Sequence, residues 1–187
     1  MRIKSFFYLR NLIVSFVLFI CMYFLINHSP FGVDKLVEIT GGHGILDMEM
    51  GGYSADRAYE ILEALGEEGR AFNMKYIVPL DFPFPLSYGL FYFMTLTLIM
   101  KNIRKRAKRP WIAGSIGLAA ALFDWLENIM IINLLRNYPQ RLDGVAKIAS
   151  VLTQLKTLFL IISTLLVIVG LLFLMIKRFY RKKEGVL

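Results

Sequence analysis

Hydrophobic positions along this chain fall into four long runs, roughly 11–27 (NLIVSFVLFICMYFLIN), 76–100 (YIVPLDFPFPLSYGLFYFMTLTLIM), 111–135 and 148–176. Each has the roughly 20 residues that a helix rising about 1.5 Å per residue needs to cross a bilayer's hydrocarbon layer. The pattern predicts an all-α integral membrane protein: one four-span domain over residues 1–187, built as a four-helix bundle. The first run follows a basic start (Arg2, Lys4, Arg10) but is not followed by a small-residue cleavage site. It reads as an uncleaved anchor.

Between runs one and two, residues 28–75 are too many for a plain connector. Within them SADRAYEILEALG places Ala58, Ile61, Leu62 and Leu65 at helical spacing, with Glu60 and Glu63 on the wet side and Glu67 just beyond. Ser54 is placed to cap this helix and Gly66 to stop it. Glu67 and Glu68 then favour a new helix start, which runs through Arg70, Phe72 and Tyr76 into span two. Upstream, ILDMEM alternates between glycine clusters and predicts a short extended piece. His43, Asp47 and Glu49 match no metal-ligand spacing and read as a solvated loop. The segment as a whole is expected to form a helical cap on the extracytoplasmic end of the spans.

Composition strengthens the membrane reading. Hydrophobic residues make up 57% of the chain and charged ones 19%, with a mean hydropathy of +0.56. A soluble fold this apolar would lack the polar surface to cover itself. The net charge of +8 comes without a basic, aromatic-interleaved module, so no nucleic acid partner is expected. Instead the basic residues set an orientation. Three precede span one, six lie in KNIRKRAKR at 101–109 and five follow from Lys177, whereas residues 28–75 hold four against nine acidic ones. Basic loops stay in the cytoplasm. Both termini and the 101–109 loop are therefore expected there, with the protein in a bacterial inner membrane. Arg104, Lys105, Arg106, Lys108 and Arg109 can also meet anionic lipid headgroups. The single cysteine, Cys21, excludes an internal disulfide.

Four ionisable residues interrupt the spans: Asp81, Asp124, Glu127 and Lys156. Such residues are costly in hydrocarbon and mark functional or structural sites. Counting helical rise from the outer ends puts Asp81 about 8 Å deep, and Glu127 and Lys156 about 12 Å deep, with Asp124 one turn lower. Asp124, Glu127 and Asn128 share one face of span three, together with the small residues Gly117, Ala120 and Ala121. Thr153, Lys156 and Ser163 share a face of span four. Asp81, Tyr88, Tyr92 and Thr95 line a stripe of span two. Pro83 and Pro85 withdraw backbone donors beside Asp81, so the helix is expected to open there and release carbonyls. Three carboxyls against one ammonium leave negative charge that a proton, a cation or water must balance; Arg70 and Arg136, near the outer boundary, are also placed to reach in.

The runs GYSADRAYEILEALGEEGR, LDFPFPLSYGLF and FDWLENIMIINLL resemble a set of small four-span bacterial membrane proteins, a likeness over residues 51–135 that implies no activity. More distantly, the layout is similar to the EXPERA group of emopamil-binding and sigma-2-type proteins, through the acid followed by aromatic and proline residues at Asp81 to Pro85. That resemblance implies a four-helix bundle whose acidic residues face a buried ligand cavity. The spans hold no histidine for the sterol-isomerase role, while FDWLEN and Lys156 depart from the group. The best-supported expectation is binding of a small amphiphile, lipid headgroup or cation by Asp81, Tyr88, Asp124, Glu127, Asn128 and Lys156, with no metal and no cofactor. Two alternatives stay open: an assembly subunit of a membrane complex, and a lipid-modifying enzyme using paired carboxyls.

Overall fold

Prolines and glycines decide where the helices of this chain begin and end. In the computed structural model, which describes residues 2–104 and 108–183 with side chains for 8–104 and 108–180, helix accounts for 84% of the chain. No strand occurs among the described residues. The order is α1 (Arg2–His28), α2 (Val33–Ile39), a single 3-10 turn (Leu46–Met48), α3 (Ala55–Ala64), α4 (Gly66–Phe72), a wide π turn (Asn73–Ile77), α5 (Val78–Leu80), α6 (Pro83–Ile103), α7 (Trp111–Asn137) and α8 (Asp143–Lys183). Four helical stretches are long and apolar enough to cross a membrane: Tyr8–Ile39, Gly66–Ile103, Trp111–Asn137 and Asp143–Tyr180.

Pro83 opens α6 at its first position, where the missing N–H removes no helical bond. The expected opening at Asp81 is therefore a full break of one residue pair, Asp81 and Phe82, between α5 and α6. In the 54–66 segment, Ser54 Oγ accepts from the Arg57 N–H at 3.1 Å. Gly66 takes a left-handed φ of 63° that a side chain resists, and turns the chain from α3 into α4. Ala58, Ile61, Leu62 and Leu65 all point inward. They share a core with Leu36 of α2, Leu134 of α7, and Ala146 and Ala149 of α8. The short helices thus sit against the C-terminal end of α7 and the N-terminal end of α8.

The extended piece expected around ILDMEM is instead the 3-10 turn. A lone strand has no ladder partner here, whereas a tight turn satisfies the backbone locally and buries Ile45 and Leu46 in the same core.

Among the long helices, α6 packs on α7 and α7 on α8, with α6 also touching α8. Small residues set the closest approach. A Cβ on Gly117 would lie 2.4 Å from Tyr92 Cβ, and one on Gly114 would lie 2.5 Å from the Phe93 carbonyl. Only hydrogen at these positions lets α6 and α7 meet at this distance. α1 leans on α6 and scarcely touches α8. Large apolar side chains of α1 and α8, such as Val14, Phe24, Val169 and Met175, are more than half exposed, a load of apolar surface that water does not tolerate but lipid does.

Of the residues expected to meet anionic lipid, Arg104, Lys108 and Arg109 are exposed at the α6–α7 connection. Lys105 and Arg106 lie outside the described residues.

Candidate functional site

The break at Asp81–Phe82 frees two carbonyls, and α7 supplies a donor for each. Asn128 Nδ2 donates to the Asp81 carbonyl at 2.9 Å. Trp125 Nε1 donates to the Phe82 carbonyl at 2.7 Å. Irregular backbone is tolerated beside lipid only when it is paired in this way. These two bonds also fix where α7 stands relative to the break, and so where its acids point.

Asp124, Glu127 and Asn128 are buried on the face of α7 turned toward α6 and α8. The Tyr88 hydroxyl donates to Asp124 Oδ2 at 2.7 Å. The Thr153 hydroxyl donates to Glu127 Oε1 at 2.5 Å. Lys156 Nζ lies 2.6 Å from Glu127 Oε2 and 3.8 Å from Asp124 Oδ1. Asp81 is buried as well, at the α5–α6 break. One fold therefore gathers all six expected residues, drawn from α6, α7, α8 and the break before α6.

A seventh group arrives from outside the spans. Asp47, on the 3-10 turn, pairs with Lys156 across 109 positions of sequence. The solvated-loop reading of Asp47 is thus corrected: it is only partly exposed and faces inward, because burial of Ile45 and Leu46 just before it anchors the start of the turn in the core. Glu49 does stay at the surface, bonded to Arg57 at 3.0 Å. Asp47, Asp81 and Asp124 each offer an oxygen within 4.8 Å of the other two. Lys156 contacts two of the three, so the chain's own ammonium occupies part of the space between them.

The arginines do not join. Arg70 donates to the Leu62 carbonyl at 2.7 Å and lies over the Tyr138 ring at 4.0 Å. Arg136 is exposed beside the same ring. Thr95 bonds the carbonyl four residues back at 2.7 Å, and buried Ser163 finds no hydrogen-bond partner among the described residues. Above the cluster, Tyr53 anchors its loop by donating its N–H to Ser150 Oγ at 2.8 Å. Its phenol is pushed well above the ordinary value, first by burial and then by the nearby Glu127 carboxylate.

Protein-family models, curated proteins and solved structures yield no match to this chain. Its chemistry must be read from its own geometry.

The cluster closes one end of a cleft of about 530 Å³. Phe84, Tyr88 and Tyr92 of α6 form its floor, Phe19 and Tyr23 of α1 one wall, and Leu160, Ile161 and Leu165 of α8 the other. Asp47, Met48 and Met50 border it at the end nearest the short helices. The cleft exists because α1 and α8 both pack on α6 and scarcely touch each other. Its volume lies within the usual range for small-molecule sites, and its lining has the usual character, mostly apolar with a few convergent polar groups. Within it, Tyr92 and Thr164 exchange a hydroxyl bond of 2.7 Å, and Asp124 and Lys156 reach its surface.

Two residues of this arrangement carry no usable signal in the sequence. Asp47 belongs to a loop pattern and its partner is remote. Trp125 reads as one more apolar residue of span three, and its bond to Phe82 depends on the break being opposite it.

Proposed function

We propose that this is a multi-pass protein of the bacterial cytoplasmic membrane that binds a small amphiphile, its polar end at the Asp47–Asp81–Asp124–Glu127–Lys156 cluster and its apolar end in the cleft. In this reading α1, α6, α7 and α8 form the transmembrane four-helix bundle. The short helices cap it on the extracytoplasmic side, and both termini are cytoplasmic. Support for the orientation comes from the basic residues, which concentrate before α1, between α6 and α7, and after α8. The polar cluster then lies in the outer leaflet.

One observation carries the binding reading: charged groups and an apolar cleft are continuous. A network serving only to lock helix register would be closed off by packing, as Glu127 and Thr153 are. Asp124 and Lys156 instead border open space lined by aromatic and aliphatic side chains. A gap between α1 and α8 gives that space access to lipid, so a hydrocarbon chain can enter sideways without crossing water.

The test is retention of lipid by the purified full chain. Native mass spectrometry from mild detergent is expected to show a bound amphiphile of discrete mass in the parent. Leu160→Trp, which fills the cleft from the α8 wall, is expected to lose it while keeping the parent's helical circular dichroism. Equal retention in both proteins would overturn the reading. Alkaline phosphatase fused after residue 70 is expected to be active and fused after Lys183 inactive; the reverse pattern would overturn the orientation.

A further inference from the structure

Resting on the binding reading above, we infer that the polar end of the occupant is a primary ammonium group, lodged between Asp47 and Asp124 beside Lys156. Four carboxyl groups, those of Asp47, Asp81, Asp124 and Glu127, gather around one lysine, and among the described residues no other basic side chain forms an ion pair with them. Arg70 is bonded to the Leu62 carbonyl, and Arg136 is exposed at a different pocket. The end of the cleft is thus rich in acceptors and short of cationic donors, and its charge complements a cation.

The placement of the donors narrows the choice further. Glu127 is served by Thr153 at 2.5 Å and Lys156 at 2.6 Å, and it does not border the cleft. Asp124 does border it. Its Oδ2 accepts from Tyr88 at 2.7 Å, but its Oδ1 has only long contacts, 3.5 Å from Asn128 and 3.8 Å from Lys156. Asp124 and Asp47 both border the cleft, Asp47 already accepting from Lys156 through one oxygen, and they are the carboxylates an incoming head meets. A primary ammonium has three N–H donors to offer them, whereas a trimethylammonium offers charge without hydrogen bonds. The walls of the cleft take the chain, through Phe19 and Tyr23 on one side and Leu160 and Ile161 on the other.

Such an ammonium can belong to a free long-chain amine or to an aminophospholipid headgroup. The experiment uses the purified full chain and reads both thermal stabilisation and Kd. The free probes are dodecylamine, dodecyltrimethylammonium and dodecanol. In parallel, melting is compared in nanodiscs of phosphatidylethanolamine and of phosphatidylcholine. Dodecylamine is expected to bind about tenfold tighter than the other two, the ratio expected of one charge-assisted hydrogen bond. Higher melting in phosphatidylethanolamine assigns the headgroup as the source, and equal melting in the two nanodiscs assigns the free amine.

In Asp47→Asn, whose substitution lies on a loop outside the spans, the preference for dodecylamine is expected to shrink toward unity; Asp124→Asn is expected to behave alike. If the three probes bind equally, the ammonium assignment falls and amphiphile binding stands. If none binds and no native lipid is retained, both fall. Stabilisation by magnesium ions alone, with displacement of dodecylamine, would overturn the assignment in favour of a metal at the three aspartates.

Discussion

Removing the Lys156 ammonium is the sharpest perturbation this cluster offers. At 2.6 Å from Glu127, two unit charges attract by about 6 kcal/mol at an effective dielectric near 20. The 3.8 Å separation from Asp124 corresponds to about 4 kcal/mol on the same scale. These gross attractions are offset by several kcal/mol for taking each ion out of water, so they do not sum to a net stability. What decides the outcome is asymmetry. Lys156→Met leaves Glu127 fully buried with Thr153 as its only donor, and an orphaned buried charge costs about 3–5 kcal/mol. For a chain of this length that corresponds to a fall of about 10 °C in melting temperature. Fluorescence of the two tryptophans, Trp111 and Trp125, read during heating in one detergent, measures it. Lys156→Met/Glu127→Gln removes the charge and keeps an acceptor for Thr153. It is expected to regain about 2 kcal/mol of the loss, a coupling typical of residues in direct contact. Should Lys156→Met melt within about 2 °C of the parent, less than roughly 1 kcal/mol, the ion pairs contribute nothing and the electrostatic reasoning fails. Equal melting of the single and double variants would refute the pairing of Lys156 with Glu127 specifically.

Asn128→Leu keeps the volume of the side chain and strands the Asp81 carbonyl; thermal unfolding is expected to show a loss of about 2 kcal/mol, the cost of an unmet buried acceptor. Gly117→Leu drives a side chain into Tyr92, whose Cβ already lies 2.4 Å from where a Cβ would stand. The expected cost is about 3 kcal/mol or more, and unchanged melting would refute the close α6–α7 contact. Tyr53→Phe tests the pH dependence. The unfolded phenol titrates near 10 and the folded one higher, so the folded state retains its proton longer and the parent loses stability as pH rises past about 10. Comparison of melting at neutral and high pH is expected to show a smaller loss in Tyr53→Phe than in the parent; identical losses would place the phenol in water.

What the amino-acid order determines by itself is local. Runs of predominantly apolar residues specify four helices able to span a bilayer, because every backbone group in such a run must be bonded within it. Ser54 and Gly66 bound α3 through their own side-chain and backbone chemistry, and Pro83 starts α6 for the same kind of reason. The helical period likewise puts Asp124, Glu127 and Asn128 on one face whatever surrounds them. Tertiary structure decided the rest. It turned ILDMEM into a tight turn because no strand was present to pair with it, and it aimed Asp47 at a lysine 109 residues away. The same packing held Arg70 at Leu62 and Tyr138, and set Trp125 opposite the open carbonyl of Phe82. Above all it left α1 and α8 apart. Periodicity can say which face of a helix is apolar, but a cleft is the space between helices, and its existence depends on where all of them come to rest.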